Sequence, residues 1–386
     1  MTDAGLYVHV PFCPSKCGYC DFVSHVPDEA EFAPLVDAIL RELDAAVDKR
    51  GLHVETIFVG GGTPTFLPTD CLGRLFERLG YYVPDSGTVE FSVETNPGTL
   101  DAEKADILLD NGVNRISMGA QSFNEAELRR LERTHRPDQI ARTAALIREC
   151  GFEHFNIDLI FGIPGQDEST WADSIRRAVD LGPDHLACYG LTYEPGTRLH
   201  QQAAAGRVVR MNEDVEARLY TTMVDRLTTA GFEQYEISNF ARSGARCQHN
   251  LRYWNNLPTV GVGPAAATYI DGLRWRNIPD TAEYVRRTQA GESTAIEVDE
   301  LDRLGRAGET AMLMLRLIQG IDCRTFREVT GFDPLVLFAT PVAYHGAAGR
   351  LTADEGRIAL TPAGRLVADS VMADFLNPRI VADNRS

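Results

Sequence analysis

Three cysteines, Cys13, Cys17 and Cys20, lie within eight residues, just after the apolar segment Leu6-Tyr7-Val8-His9-Val10. Three thiolates this close can bind one soft metal centre. A fully ligated iron–sulfur cube takes four cysteines. A set of three with no fourth close by leaves one iron open. By the logic of a catalytic zinc site, a vacant metal position receives a ligand. Two plainer readings compete. A structural zinc knot would want a fourth Cys or His at short spacing, and His9 and His25 are near enough to be considered. Chance grouping of buried cysteines is the other, although eight cysteines in 386 residues are sparse for that.

Other polar residues sit where a strand should end. Val54 to Val59 is a β-branched run that empties into Gly60-Gly61-Gly62-Thr63-Pro64. Such a run is either a tight turn or a backbone that a ligand approaches closely, since only Gly leaves the main chain bare. Glu94, Gln121 and Asp158 follow three further apolar segments. Late in the chain comes Cys247-Gln248-His249-Asn250-Leu251-Arg252-Tyr253-Trp254. Its histidine is either an ordinary structural one or a metal ligand beside two flat aromatic faces.

The elements that would position these residues alternate. Leu6–Val10, Val54–Val59, Val89–Glu94, Asn114–Met118, Phe155–Ile160 and His185–Leu191 read as strands. Residues 29–50, 69–80, 101–111, 124–131, 137–150 and 168–181 read as helices, with apolar residues at helical spacing. Strand–helix alternation means βα units and a parallel sheet. In α/β barrels the face at the strands' C-terminal ends carries the chemistry, and that is where the cysteines, the glycine run, Glu94, Gln121 and Asp158 fall. A further helix spans 211–231, and Phe232–Ile237 reads as a strand. The last hundred residues change to short helices with a small β-wing, which look like a winged-helix-type module or a packing lid.

Composition narrows the classes. Hydrophobic content of 44% and charged content of 24% suit a globular chain of two or three domains. The net charge of −17 argues against nucleic-acid binding, which needs clustered Lys and Arg. No apolar run reaches bilayer-spanning length and no signal peptide is visible. With thiols suited to a reducing compartment, a cytoplasmic location is expected.

The spacing CxxxCxxC, with Tyr19 just before the last Cys, resembles the radical S-adenosylmethionine (SAM) superfamily. So does Gly61-Gly62-Thr63-Pro64. The resemblance implies a partial (β/α)6 TIM-type barrel, a [4Fe-4S] cluster on Cys13, Cys17 and Cys20, and SAM on the fourth iron. It further implies that Tyr7, Gly61, Gly62, Thr63, Glu94, Gln121, Arg133, Asp158, Leu191 and Ala267 contact SAM. The segments 6–13, 60–65, 94–97, 115–122 and 156–160 are similar to oxygen-independent coproporphyrinogen III oxidases (HemN) and their HemW-type haem-chaperone relatives.

Two features separate these relatives. The oxidases carry a further cysteine where this chain has Phe22. The run 247–254 matches the HNxxYW signature of the chaperones, which makes His249, Asn250, Tyr253, Trp254 and Cys247 candidate haem contacts. One departure stands out: where the family has Gly-Pro-Gly-Ala-His-Ser, this chain reads Gly263-Pro264-Ala265-Ala266-Ala267-Thr268. The resemblance thus implies a haem chaperone carrying a cluster and SAM, passing haem to acceptor proteins among the respiratory ones. Radical decarboxylation of coproporphyrinogen III, or a radical reaction on another substrate, is the alternative. The expected divisions are a SAM core over 1–240, a connecting segment over 241–290 and a C-terminal module over 291–386.

Overall fold

The computed structural model describes residues 2–48, 50–84, 89–270, 272–376 and 378. Six strands form a parallel arc in sequence order: β1 (Asp3–Val10), β2 (His53–Gly61), β3 (Glu90–Thr95), β4 (Arg115–Gln121), β5 (His154–Phe161) and β6 (His185–Gly190). Between them run α1 (Phe32–Leu43), α2 (Thr69–Gly80), α3 (Ala102–Asp110), α4 (Glu125–Arg130), α5 (Pro137–Cys150) and α6 (Glu168–Asp180). The expected order of strands and helices is therefore present, with boundaries moved by at most three residues, except that the helix expected over 29–50 ends its α-helical part at Leu43 and continues as a π-helical turn over Asp44–Asp48. Local chemistry explains the ends. Asp101 caps α3 by accepting from the Lys104 amide at 2.9 Å. Pro137 opens α5 and Gly151 closes it at φ 86°.

The arc is not a closed barrel. It ends in a twelve-stranded sheet, widened at both edges. Beyond β6 lie two short antiparallel strands, β7 (Glu233–Gln234) and β8 (Asn239–Ala241). The expected strand over 232–237 shrinks to β7, because Glu236 and Ile237 turn away toward the C-terminal module. At the other edge β9 (Thr259–Val262) pairs parallel to β1. The hairpin β10 (Ala267–Ile270) and β11 (Leu273–Asn277) follows, then β12 (Ala295–Glu300).

Three helices complete this part: α7 (Arg198–Ala204), α8 (Glu213–Thr229) and α9 (Gln248–Trp254). The connection to β12 adds α10 (Thr281–Ala290). Residues 241–290 thus extend the main sheet, and Val260, Val262, Ile270 and Tyr284 join its core.

A second apolar core runs from Ala307 to Phe375. It is built on α11 (Arg303–Met314), α12 (Cys323–Thr330), shorter helices and a three-stranded sheet. That sheet contains β13 (Ile321–Asp322), β14 (Leu351–Ala353) and β15 (Arg357–Leu360), with β15 in the middle. Short helices with a small β-wing are what the sequence pattern implied. Among the described residues no helix is long and apolar enough to cross a membrane.

Candidate functional site

The cysteine loop leaves β1 and is tied back to it. The Cys13 amide donates to the His25 carbonyl and the His25 amide to the Pro11 carbonyl, both at 2.9 Å. The Gly18 amide reaches the Leu131 carbonyl at 3.3 Å, and the Leu199 amide donates to the Gly18 carbonyl at 2.8 Å. Helix α7, which carries Leu199, was not legible in the sequence. His9 locks the same corner: its Nε2 bonds the Val23 carbonyl at 2.8 Å and its Nδ1 meets the Tyr7 hydroxyl at 2.9 Å.

The three cysteines are free thiols lining one cavity of about 310 Å3. Two donors face the sulfurs: Thr63 Oγ1 lies 3.5 Å from Cys13 Sγ, and Arg133 Nη1 lies 3.5 Å from Cys17 Sγ. Arg133 Nε is buried without a partner. Such donors suit thiolates on an iron cluster, whose charge they temper. Burial raises the Cys13 and Cys20 thiols above their ordinary range, so loading a metal must displace their protons.

The rim beside the thiols is the C-terminal edge of β2 to β5. A Cβ at Gly62 would stand 2.6 Å from the Phe12 carbonyl oxygen, and Gly61 sits at φ 99°. Neither position tolerates a side chain. The Gly61 amide donates to Glu94 Oε2 at 2.9 Å. Burial, with Asp158 nearby, pushes the Glu94 carboxyl up to about 8. Burial likewise lifts Asp158 to about 6, although Asn156 Nδ2 donates to it at 2.6 Å. Gln121 ends β4 at φ 66°, after a register shift in its pairing with β5. Cys13, Cys17, Cys20, Gly61, Gly62, Glu94, Gln121, Arg133 and Asp158 share this one cavity wall. Thr63, expected among the SAM contacts, is buried and outside both cavity linings, with its hydroxyl directed at Cys13.

A second cavity of about 500 Å3 adjoins the first and shares Tyr19, Cys20, Phe22, Glu94, Ser117, Gln121 and Asp158 with it. It runs through the arc to the N-terminal ends of the strands. Tyr7 and Leu191 line it near the rim; Cys247, His249, Asn250 and Tyr253 line its floor. The run 247–254 forms α9 there, held by Glu90, which accepts from the Gln248 and His249 amides at 2.9 Å each.

His249 is not an open ligand in this arrangement. It is 1% exposed, its Nδ1 bonds Thr56 Oγ1 at 2.8 Å and its Nε2 meets the Tyr253 hydroxyl at 3.2 Å. Burial drops its pKa to about 3, so the ring is neutral. Burial also keeps Cys247 a thiol, with Sγ 3.4 Å from Glu90 Oε1. Two sequence candidates stand apart. Trp254 lies outside the cavity, with the Arg316 guanidinium 4.4 Å over its ring. Ala267 is on β10, exposed and outside both cavity linings.

A parallel βα arc with a thiol triplet after its first strand, and a glycine–carboxylate rim beside it, defines a radical SAM protein. The Radical SAM superfamily model matches residues 7–178, and the HemN C-terminal domain model matches 301–367. The structure of coproporphyrinogen III oxidase (HemN) from Escherichia coli superposes with a TM-score of 0.84 at 24% identity, covering 97% of this chain and 90% of that one. At that identity it supports the fold alone. The heme chaperone HemW of Bacillus subtilis is 33% identical over 372 residues, 96% of this chain and 98% of that protein. HemW of Mycobacterium tuberculosis (strain H37Rv) is 34% identical over 377 residues, covering 96% and 94%. This chain belongs to the HemW family. The superfamily's [4Fe-4S] cluster and SAM come with that membership; when bound they supply one-electron chemistry that no side chain can perform.

Proposed function

We propose that this protein is a haem chaperone: it binds haem and hands it to an acceptor protein. Its relatives' names point that way. The observation that carries the reading is the cavity joining the thiol pocket to α9, in which His249, Asn250 and Tyr253 of the HNxxYW run share one volume with Glu94, Gln121 and Asp158 of the rim. Cys13, Cys17 and Cys20 hold the cluster in this reading. Tyr7, Gly61, Gly62, Glu94, Gln121, Arg133, Asp158 and Leu191 line SAM, and Thr63 steadies Cys13. The carboxylates suit an ammonium or ribose hydroxyls, and Arg133 suits a carboxylate.

His249, Asn250, Tyr253 and Cys247 are the haem-facing candidates. Since both His249 nitrogens are engaged, iron ligation there requires α9 to release the Tyr253 contact or to shift from Glu90. We place the SAM core at 1–240, its connecting strands at 241–290 and the C-terminal module at 291–386. The second apolar core, 307–375, supports a separate C-terminal module, although β12 (Ala295–Glu300) still pairs with the main sheet. The expected location is cytoplasmic, and the acceptors are haem proteins of the respiratory class.

The test is anaerobic. The cluster is reconstituted, haem is titrated while the Soret band is followed, and a haem-free b-type cytochrome is then offered. One-to-one binding that weakens in His249→Ala, followed by transfer of the Soret signature to the cytochrome, supports the reading. Conversion of coproporphyrinogen III to a vinyl-bearing product by the reduced, SAM-loaded protein would replace it with oxidase chemistry.

A further inference from the structure

The floor of the large cavity holds a charge that the chain satisfies only in part. Arg115, at the start of β4, is 2% exposed and lines that cavity. Its Nε donates to Glu90 Oε2 at 3.3 Å and its Nη2 to the Ala245 carbonyl, but Nη1 is buried without a partner. Glu90 is already divided: it also accepts from the Gln248 and His249 amides at 2.9 Å each and lies 3.4 Å from Cys247 Sγ. Of the carboxylates lining the cavity, Asp21 is exposed on the cysteine loop and the other two are committed elsewhere. Asp158 accepts from Asn156 and Ser117, and Glu94 accepts from Gly61. His185, next along the floor, bonds Asn156 Oδ1 at 2.6 Å and the Tyr235 hydroxyl at 2.8 Å. A guanidinium carries five donors; here Nη1 has no acceptor, in a residue that lines the cavity.

Aromatic side chains, among them Tyr7, Phe58, Tyr189 and Tyr253, line the surrounding wall beside polar ones. At about 500 Å3 the cavity is of the size that holds small organic ligands. We propose that Arg115 is the inner anchor of this cavity, taking the carboxylate of a flat, mainly apolar ligand. A carboxylate reaching Nη1 supplies its missing acceptor and offsets the buried charge in a charge-assisted hydrogen bond. The inference rests on the haem-chaperone reading and deepens it: the carboxylate is then a haem propionate. Arg115 binds at the end of the ligand remote from solvent, beneath the helix that bears His249.

The experiment compares iron protoporphyrin IX with its dimethyl ester, in the same detergent, by Soret titration of the cluster-loaded protein. The wild type should prefer the free acid by roughly ten- to hundredfold, the range for a hydrogen bond to a charged group. Arg115→Gln should abolish most of that preference, and Arg115→Lys should keep part of it, since it keeps the charge but not the planar fork. A role of Arg115 in fold alone would lower both affinities together and leave their ratio intact. Equal binding of acid and ester by the wild type overturns the anchor while leaving the haem reading standing. A preference unchanged in Arg115→Gln also overturns it; should that variant not fold, a preference unchanged in Arg115→Lys does so instead. Binding of neither compound overturns both readings.

Discussion

Replacing Glu94 by Gln should make the ligand-free protein more stable, and increasingly so at higher pH. The folded carboxyl keeps its proton up to about pH 8, whereas an ordinary one releases it near 4.5. Folding therefore takes up a proton between these values. The contribution of this group is intact below about pH 4.5 and is lost as pH rises through 8. At 1.36 kcal/mol per pH unit, the cost of the carboxyl is about 1 kcal/mol at pH 5, about 3 at pH 7 and about 5 at pH 9. These are upper figures, because cavity water still reaches the carboxyl. Gln keeps the size and the hydrogen-bonding capacity but carries no charge. Urea unfolding of wild type and Glu94→Gln at the three pH values gives the difference directly. It should widen from near 1 to several kcal/mol in favour of the variant. A gap that stays constant with pH, or that favours the wild type, would refute the idea that Glu94 is a desolvated acid held for a cationic ligand.

Three further outcomes follow from the same geometry. SAM binding should release protons near pH 7, since a sulfonium and an ammonium beside Glu94 and Asp158 favour their ionised forms; calorimetry in buffers of different ionisation enthalpy counts them. Glu90→Ala should destabilise by roughly 3–5 kcal/mol in urea unfolding, because it leaves Arg115 buried without its counter-charge and frees the first amides of α9. Ala265→Gly should stabilise by about 1 kcal/mol in thermal unfolding, because Ala265 sits at φ 60°, in the left-handed region that favours Gly.

Which parts of this architecture could be read in the sequence follows from where their stability comes from. Strand β2 announces itself through Val54, Ile57 and Val59, and α5 through Pro137 at its start and Gly151 at its end. The thiol triplet and the glycine run are local in sequence, so their chemistry was legible too. The hairpin of β10 and β11 was not, because Leu273-Arg274-Trp275-Arg276 is half-buried on both faces and shows no clean alternation. Helix α9 carries no apolar period; it is capped from Glu90, more than 150 residues away. The state of His249 was hidden for the same reason, since Thr56 lies 193 residues before it. Arg115 looked like one residue of a motif, and only the fold shows what its guanidinium lacks.

The wall shared by the two cavities has a thermodynamic consequence. Tyr19, Glu94, Gln121 and Asp158 border both volumes, so whatever fills one alters the surroundings of the other. If a ligand in the thiol pocket changes the affinity of the floor for its own ligand by some factor, the reverse effect must equal that factor. The protein is then a two-ligand switch, in which cofactor occupancy sets how tightly the cargo is held. Measuring each affinity with the other site filled and empty would yield one coupling free energy, obtained twice.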